Sequence, residues 1–236
     1  MKGFAAAAFI FVLHAAPAWS SDLSEQPVDA LVGMLTSIDA DAPGIDDAGM
    51  YDSFLADDAP PQFRVGQLPL HPPTIHPAMR ELVRRGAAAL PALLAHLDDV
   101  RPTRLAIGRE IEPLDVFGGQ FFADEYDPRR PGERIHECPM DNTCRSFDHP
   151  YRVRVGDVCE VLIGQIVNRR LYAVRYQPTQ IVYVNSPVET PALAALIRKD
   201  WTGVDSAALA ASLREDLHGD RAEGALRRLR FYYPRT

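Results

Sequence analysis

The stretch from His76 to Asp98 limits most strongly what this chain can fold into. It begins His-Pro, and a proline in the first helical position loses nothing there, because the N–H it lacks has no intrahelical partner. Met79, Leu82 and Val83 follow at helical spacing, and Gly86 is a natural stop. A second helix carries Leu90, Leu93, Leu94 and Leu97 on one face, with Pro91 inside its first turn. Two short helices meeting at a glycine form an antiparallel hairpin. Neither buries its apolar stripe alone, so the pair must recruit the leucine- and tryptophan-bearing faces of the last third of the chain.

Met1 and Lys2 precede an apolar run from Phe4 to Ala16, and Ala18-Trp19-Ser20 places small residues at a cleavage site. Residues 1–20 therefore read as a secretory signal, with no cysteine after the apolar run to take a lipid. No later segment is long and apolar enough to span a bilayer. A soluble protein is expected, exported to the periplasm or beyond, with no integral membrane segment after cleavage. The 236 residues are 47% hydrophobic and 24% charged, a globular composition. A net charge of −7 argues against general nucleic-acid binding.

Ser24 to Ile38 has a helical period, with Ser24 as a cap and Val28, Leu31, Val32, Leu35 and Ile38 on one face. Asp39 to Pro61 is an irregular acidic linker. Asp39, Asp41, Gly44 and Asp47 echo a calcium loop, but Pro43 and Met50 occupy two ligand positions, so it reads as a solvated stretch. The expected organisation is a signal over 1–20, a helix and linker over 21–61, and one mainly helical domain over 62–236. Within that domain Leu105 and Ile107 hint at a short strand, and the rest of 101–151 is irregular. Val155 to Asn168 suits a helix capped by Asp157 better than a buried strand. Tyr172–Tyr176 and Gln180–Val184 look like two short strands around Pro178. Helices follow from Pro187, from Asp205 and from Asp220, the last with Ala222, Ala225, Leu226 and Leu229 inward. Arg227, Arg228 and Arg230 read as a solvated face that offsets the helix dipole, the alternative being a patch for an anionic partner.

Leu82–Gly86, Ala89–Leu94 and Leu97–Asp98 resemble one unit of a HEAT-type repeat. That family stacks helix pairs into solenoids whose concave surface holds protein partners. No second copy follows at a period of about 40 residues. Gly164–Arg169 and Arg175–Pro178 are similar to segments of exported bacterial proteins that carry HEAT-like hairpins, a resemblance that implies a shared fold and no activity.

The segment Asp124–Pro150 has neither helical nor strand period and holds most of the residues suited to chemistry. Cys138 and Cys144, close together in an exported chain, most simply form a disulfide. His136 and His149 flank them, and His136, Cys138, Cys144 and His149 together offer the nitrogen and sulfur ligands of tetrahedral zinc. That is the alternative to a disulfide, and otherwise no cofactor is implied. Cys159 lies in an apolar run as a buried free thiol. Carboxylates such as Asp124, Glu125 and Glu137 beside His136 allow acid–base chemistry, but no nucleophile elbow, phosphate loop or His-Glu-x-x-His is present. Tyr126, His136, His149, Arg175 and Tyr176 are the candidate binding residues. Gln165, Asn168 and Arg175 are expected to tie the hairpin to the strand pair. The fold class expected is mainly α with a minor β part. The function expected is that of a non-catalytic binding protein of the cell envelope with an unknown protein partner, and the alternative is a secreted hydrolase, with or without a metal, using Asp124–Pro150.

Overall fold

The computed structural model describes residues 22–39, 54–57, 75–107, 116–118, 121–122, 134–136, 151–171, 173–176 and 182–234. At 107, 116–118, 121–122, 134–136, 174–176 and 182–183 it describes the backbone alone. The chain is mainly helical. Its α-helices among these residues are α1 (Val28–Met34), α2 (Pro77–Arg84), α3 (Leu90–Ala95), α4 (Val155–Val167), α5 (Pro191–Trp201), α6 (Ser206–Glu215) and α7 (Ala222–Tyr232).

The centre is α4 rather than the hairpin. Every residue from Val155 to Val167 except Gln165 is buried. A helix apolar around its whole circumference belongs inside a protein, which explains why its β-branched run also allows a buried strand, although the helix is the better reading. Its length decides the matter, together with a stop at Asn168, whose φ of 59° is left-handed. The hairpin forms as expected, with Gly86 at φ 56° and a 3-10 turn over Gly86–Ala89 leading into α3. Both hairpin helices lean on α4 and on α1. Leu82, Leu90, Leu93 and Leu97 share one continuous core with Leu193, Ile197, Trp201, Leu209 and Leu213. The recruitment read from the sequence therefore takes place, with α3 meeting α5 and the Gly86–Ala89 turn meeting α6 directly, and α4 packed against the hairpin beside them.

The N-terminal period resolves into three pieces: a 3-10 turn at Leu23–Glu25, α1, and a second 3-10 turn at Leu35–Ser37. Pro27 has no N–H to carry a helix across, and Asp22 rather than Ser24 provides the cap. Leu31, Val32, Leu35 and Ile38 join the common core, so this segment is part of the same packed unit as the later helices.

Residues 101–151 are less irregular than expected. Strand β1 (Pro102–Ile107) pairs antiparallel with β5 (Tyr151–Arg154), bringing Ile107 opposite Tyr151. Short strands β2 (Val116–Gly118), β3 (Phe121–Phe122) and β4 (Arg134–His136) lie between them. The anticipated strand pair is present as β6 (Val174–Tyr176) and β7 (Val182–Val184), antiparallel, and β2 adds to β7 in parallel. β3 pairs with β4. Backbone pairing among short strands far apart in the chain leaves no local period, so the sequence carried little sign of β2, β3 and β4.

Candidate functional site

Buried polar side chains gather at the two ends of α4. At the start, Asp157 is the third helical residue and not the cap. Arg154 holds the cap position, and its N–H donates to Asp157 Oδ2 at 2.9 Å, one half of a capping box. The Tyr151 hydroxyl donates to the same oxygen at 2.8 Å, and the Ser186 hydroxyl donates to Oδ1. Burial raises the Asp157 carboxyl above the usual carboxylate range, while these three donors and Arg154 pull the other way. Arg154 itself pairs with Glu189.

One turn further on, Glu160 is fully buried and neither carboxyl oxygen has a hydrogen-bond partner. Burial, then the charge of Asp157, raises it well above the ordinary glutamate value. The side-chain oxygen of Asn185 is also buried without a partner. Native interiors leave few such groups, so each demands a reason. Cys159 is a buried free thiol, as the apolar run around it suggested, and burial pushes it far up from its usual value. It is therefore no nucleophile.

At the far end of α4 the pattern is cationic. Arg169 donates to the Asp216 carboxylate and to the carbonyls of Val167 and Asn168, and it lies 5.3 Å over the Trp201 ring. Arg221 reaches the other Asp216 oxygen at 3.4 Å. Asn168 donates to Asp216 at 3.0 Å and accepts from Arg228 at 3.1 Å. Arg228 also donates to the Gln165 carbonyl and sits 4.7 Å from the Phe54 ring centre. Arginines on the last carbonyls of a helix are favoured by its dipole as well as by hydrogen bonding. Gln165 and Asn168 thus tie α4 to Leu55 and to the C-terminal helices, not to the strand pair. Arg228 is buried and no part of a solvated face, whereas Leu226, expected inward, is 40% exposed. The inward face of α7 is rotated to carry Ala225 and Arg228, and only the helical phase of Arg228 with Ala225 could have signalled it.

A third cluster lies on the surface ahead of β1. Arg101 grips Asp99 through Nε and Nη2, and His96 Nδ1 is 2.9 Å from the same carboxylate. Arg101 draws the Asp99 carboxyl down to about 2, with smaller help from His96. Among the described residues no hydroxyl or thiol bonds to this imidazole, so the pair braces the turn rather than forming a nucleophilic triad.

Of the residues singled out in the sequence, Tyr126, Cys138, Cys144 and His149 lie outside the described residues. His136 closes β4 opposite Phe121, and Arg175 and Tyr176 stand on β6 opposite Tyr183 and Val182, in each case with the backbone alone described. Among the described residues no cluster of three or more His, Cys, Asp or Glu is arranged to hold a metal, and no helix is long and apolar enough to cross a membrane. No protein-family model matches the chain, and neither the curated proteins nor the solved structures give a match.

Proposed function

We propose that the chain is an exported, non-catalytic binding protein of the cell envelope, cleaved after residue 20, that presents the segment between β1 and β5 to a protein partner. The observation that carries this reading is the β1–β5 ladder. Ile107 and Tyr151, which bound residues 108–150, are cross-strand partners. Tyr151 is further anchored by its hydroxyl on Asp157. A segment held at both ends by a packed scaffold is where binding residues are most often found. Tyr126, His136 and His149 belong to it, with Arg175 and Tyr176 as neighbouring contacts on β6, and a Cys138–Cys144 disulfide is its brace.

The test is co-purification from the native envelope with the full chain and with a variant in which residues 119–150 are replaced by a short Gly/Ser linker. A partner retained by the first and lost by the second is the expected result. An identical set of captured proteins from both chains overturns the reading. The hydrolase alternative is separated by the same pair of proteins: turnover of generic ester, peptide or glycoside substrates that is abolished by His136→Ala would favour it instead.

A further inference from the structure

Asp39 to Pro61 reads from the sequence as a solvated stretch, yet Phe54, Leu55 and Ala56 within it are 3%, 5% and 0% exposed. Phe54–Asp57 is a tight turn, closed by the Asp57 N–H on the Phe54 carbonyl at 2.9 Å. The turn is seated where α2, α4 and α7 converge. Phe54 meets the rings of Phe231 and Tyr232 edge-on, with centroids 5.4 and 5.6 Å away, and the Arg228 guanidinium lies over its face. Gln165, the one residue of α4 that is not buried, accepts the Leu55 N–H on its side-chain oxygen at 3.1 Å. Arg80 of α2 donates to the Asp57 carbonyl at 3.3 Å.

Two features separate this arrangement from ordinary core packing. The walls are bonded to one another without the turn. Tyr232 donates to the Val83 carbonyl, joining α7 to α2, and Arg228 donates to the Gln165 carbonyl, joining α7 to α4. α2 packs on α4 directly. None of these ties passes through Phe54–Asp57, so the niche does not depend on the turn for its shape. The second feature is how the turn is held. Side chains of the scaffold take its backbone, Gln165 the N–H and Arg80 the C=O, while an aromatic pocket capped by a cation takes its phenylalanine. Anchors in a pocket for specificity and hydrogen bonds to the backbone for hold are the elements of peptide recognition. Charge agrees as well: Asp52, Asp57 and Asp58 fall in or beside the turn in sequence, and Arg80, Arg84 and Arg228 belong to the walls.

We propose that the niche between α2, α4 and α7 is a docking site for an acidic peptide turn with adjacent aromatic and aliphatic residues. Phe54–Asp57 is its built-in occupant, and a like turn from a partner protein enters when that occupant withdraws. Being part of the same chain, the occupant competes at a high effective concentration, so a free ligand binds weakly until the built-in turn is disabled. None of these residues belongs to 108–150, so the site stands or falls independently of the reading above.

A fluorescent peptide of residues 51–58, Tyr-Asp-Ser-Phe-Leu-Ala-Asp-Asp, titrated into full-length wild type and Phe54→Ala tests the docking. Phe54→Ala should bind it at least about tenfold more tightly than the wild type does. A control peptide with alanine in place of its phenylalanine should bind to neither. No binding to folded Phe54→Ala overturns the proposal, as does equal affinity for both proteins or for both peptides. Dimerisation of the wild type that is lost in Phe54→Ala overturns it in favour of a second copy as the occupant. Hydrogen exchange on the wild type tests the withdrawal. The Leu55 and Asp57 amides should open at least about a hundredfold more often than those of Leu162 and Ile166 in α4. Equal protection overturns the proposal, because the turn would then leave only when the whole protein unfolds. Should Phe54→Ala fail to fold, the exchange rates of the wild type still decide whether turn and niche part.

Discussion

Asp216 and Glu160 are two carboxyls withdrawn from solvent, one at the C-terminal end of α4 and the other on its middle turn, and their surroundings could hardly differ more. Asp216 receives Arg169, Arg221 and Asn168. Glu160 receives nothing. The C-terminal end of α4 presents bare carbonyls and a negative dipole end, which draws arginines, and a carboxylate can then settle among them. The first turn presents N–H groups and accommodates Asp157. Glu160 lies too far along to benefit from either end. An ion pair balances the desolvation of the first acid, whereas burial and the charge of Asp157 raise the second well above the ordinary glutamate value.

That contrast can be broken most severely at its paired end. Asp216→Ala leaves Arg169, whose side chain is fully buried, without its carboxylate and should destabilise by about 3–5 kcal/mol in urea titrations. A loss below about 1 kcal/mol would mean that the arginines are not dependent on Asp216. The unpaired end should respond with the opposite sign. Glu160→Leu removes an orphan carboxyl from an apolar helix and should stabilise by about 1–4 kcal/mol at neutral pH. The linkage fixes how that gain varies. The folded Glu160 holds its proton to a higher pH than the unfolded chain does, so its contribution is complete below about pH 4.5 and is lost as pH rises through the folded value. The advantage of the leucine variant should therefore grow with pH, and a gain independent of pH would argue against a neutral acid.

His76 sharpens the comparison from the other side, with the smallest effect. Its Nδ1 accepts the Ala78 N–H as the cap of α2, its Nε2 is 3.0 Å from Ser37 Oγ, and burial lowers its basicity despite Asp39. Because Ser37 spends its own proton on the Met34 carbonyl, the imidazole carries its proton on Nε2. A group whose folded pKa is lowered contributes stability above its unfolded value, near pH 6.5, that is lost as pH falls through the folded one. His76→Asn keeps a capping side chain, should cost no more than about 1 kcal/mol at neutral pH, and should flatten the acid limb of the melting temperature.

How much of this was legible depends on how local the cause was. The hairpin could be read because Pro77, Gly86 and the leucine spacing act within a few residues of one another. The last helices and the β6–β7 pair were visible for the same reason. The central position of α4 was hidden because burial on every side erases the amphipathic period that points to a core. Its polar ends were hidden more deeply, since Arg169 and Asp216 are far apart in the chain and each looks like a surface residue until the other is in place. Asp157 was recognised as belonging to the helix start, but its real neighbours Tyr151 and Ser186 come from different elements. For Cys138, Cys144, Tyr126 and His149 the spacing suggested a chemistry that nothing among the described residues bears on.

The Tyr232 ring fits against Gly86, where even a methyl group would stand 2.9 Å from it, and its hydroxyl donates to the Val83 carbonyl across 149 positions of sequence. During synthesis the leucine hairpin is thus complete long before the residue that latches its bend exists. Until α7 has been made, Val83 and Gly86 wait on an unfinished surface, and contacts that span so much chain slow folding. A ribosome stalled shortly before Phe231 would leave the leucine hairpin without that latch.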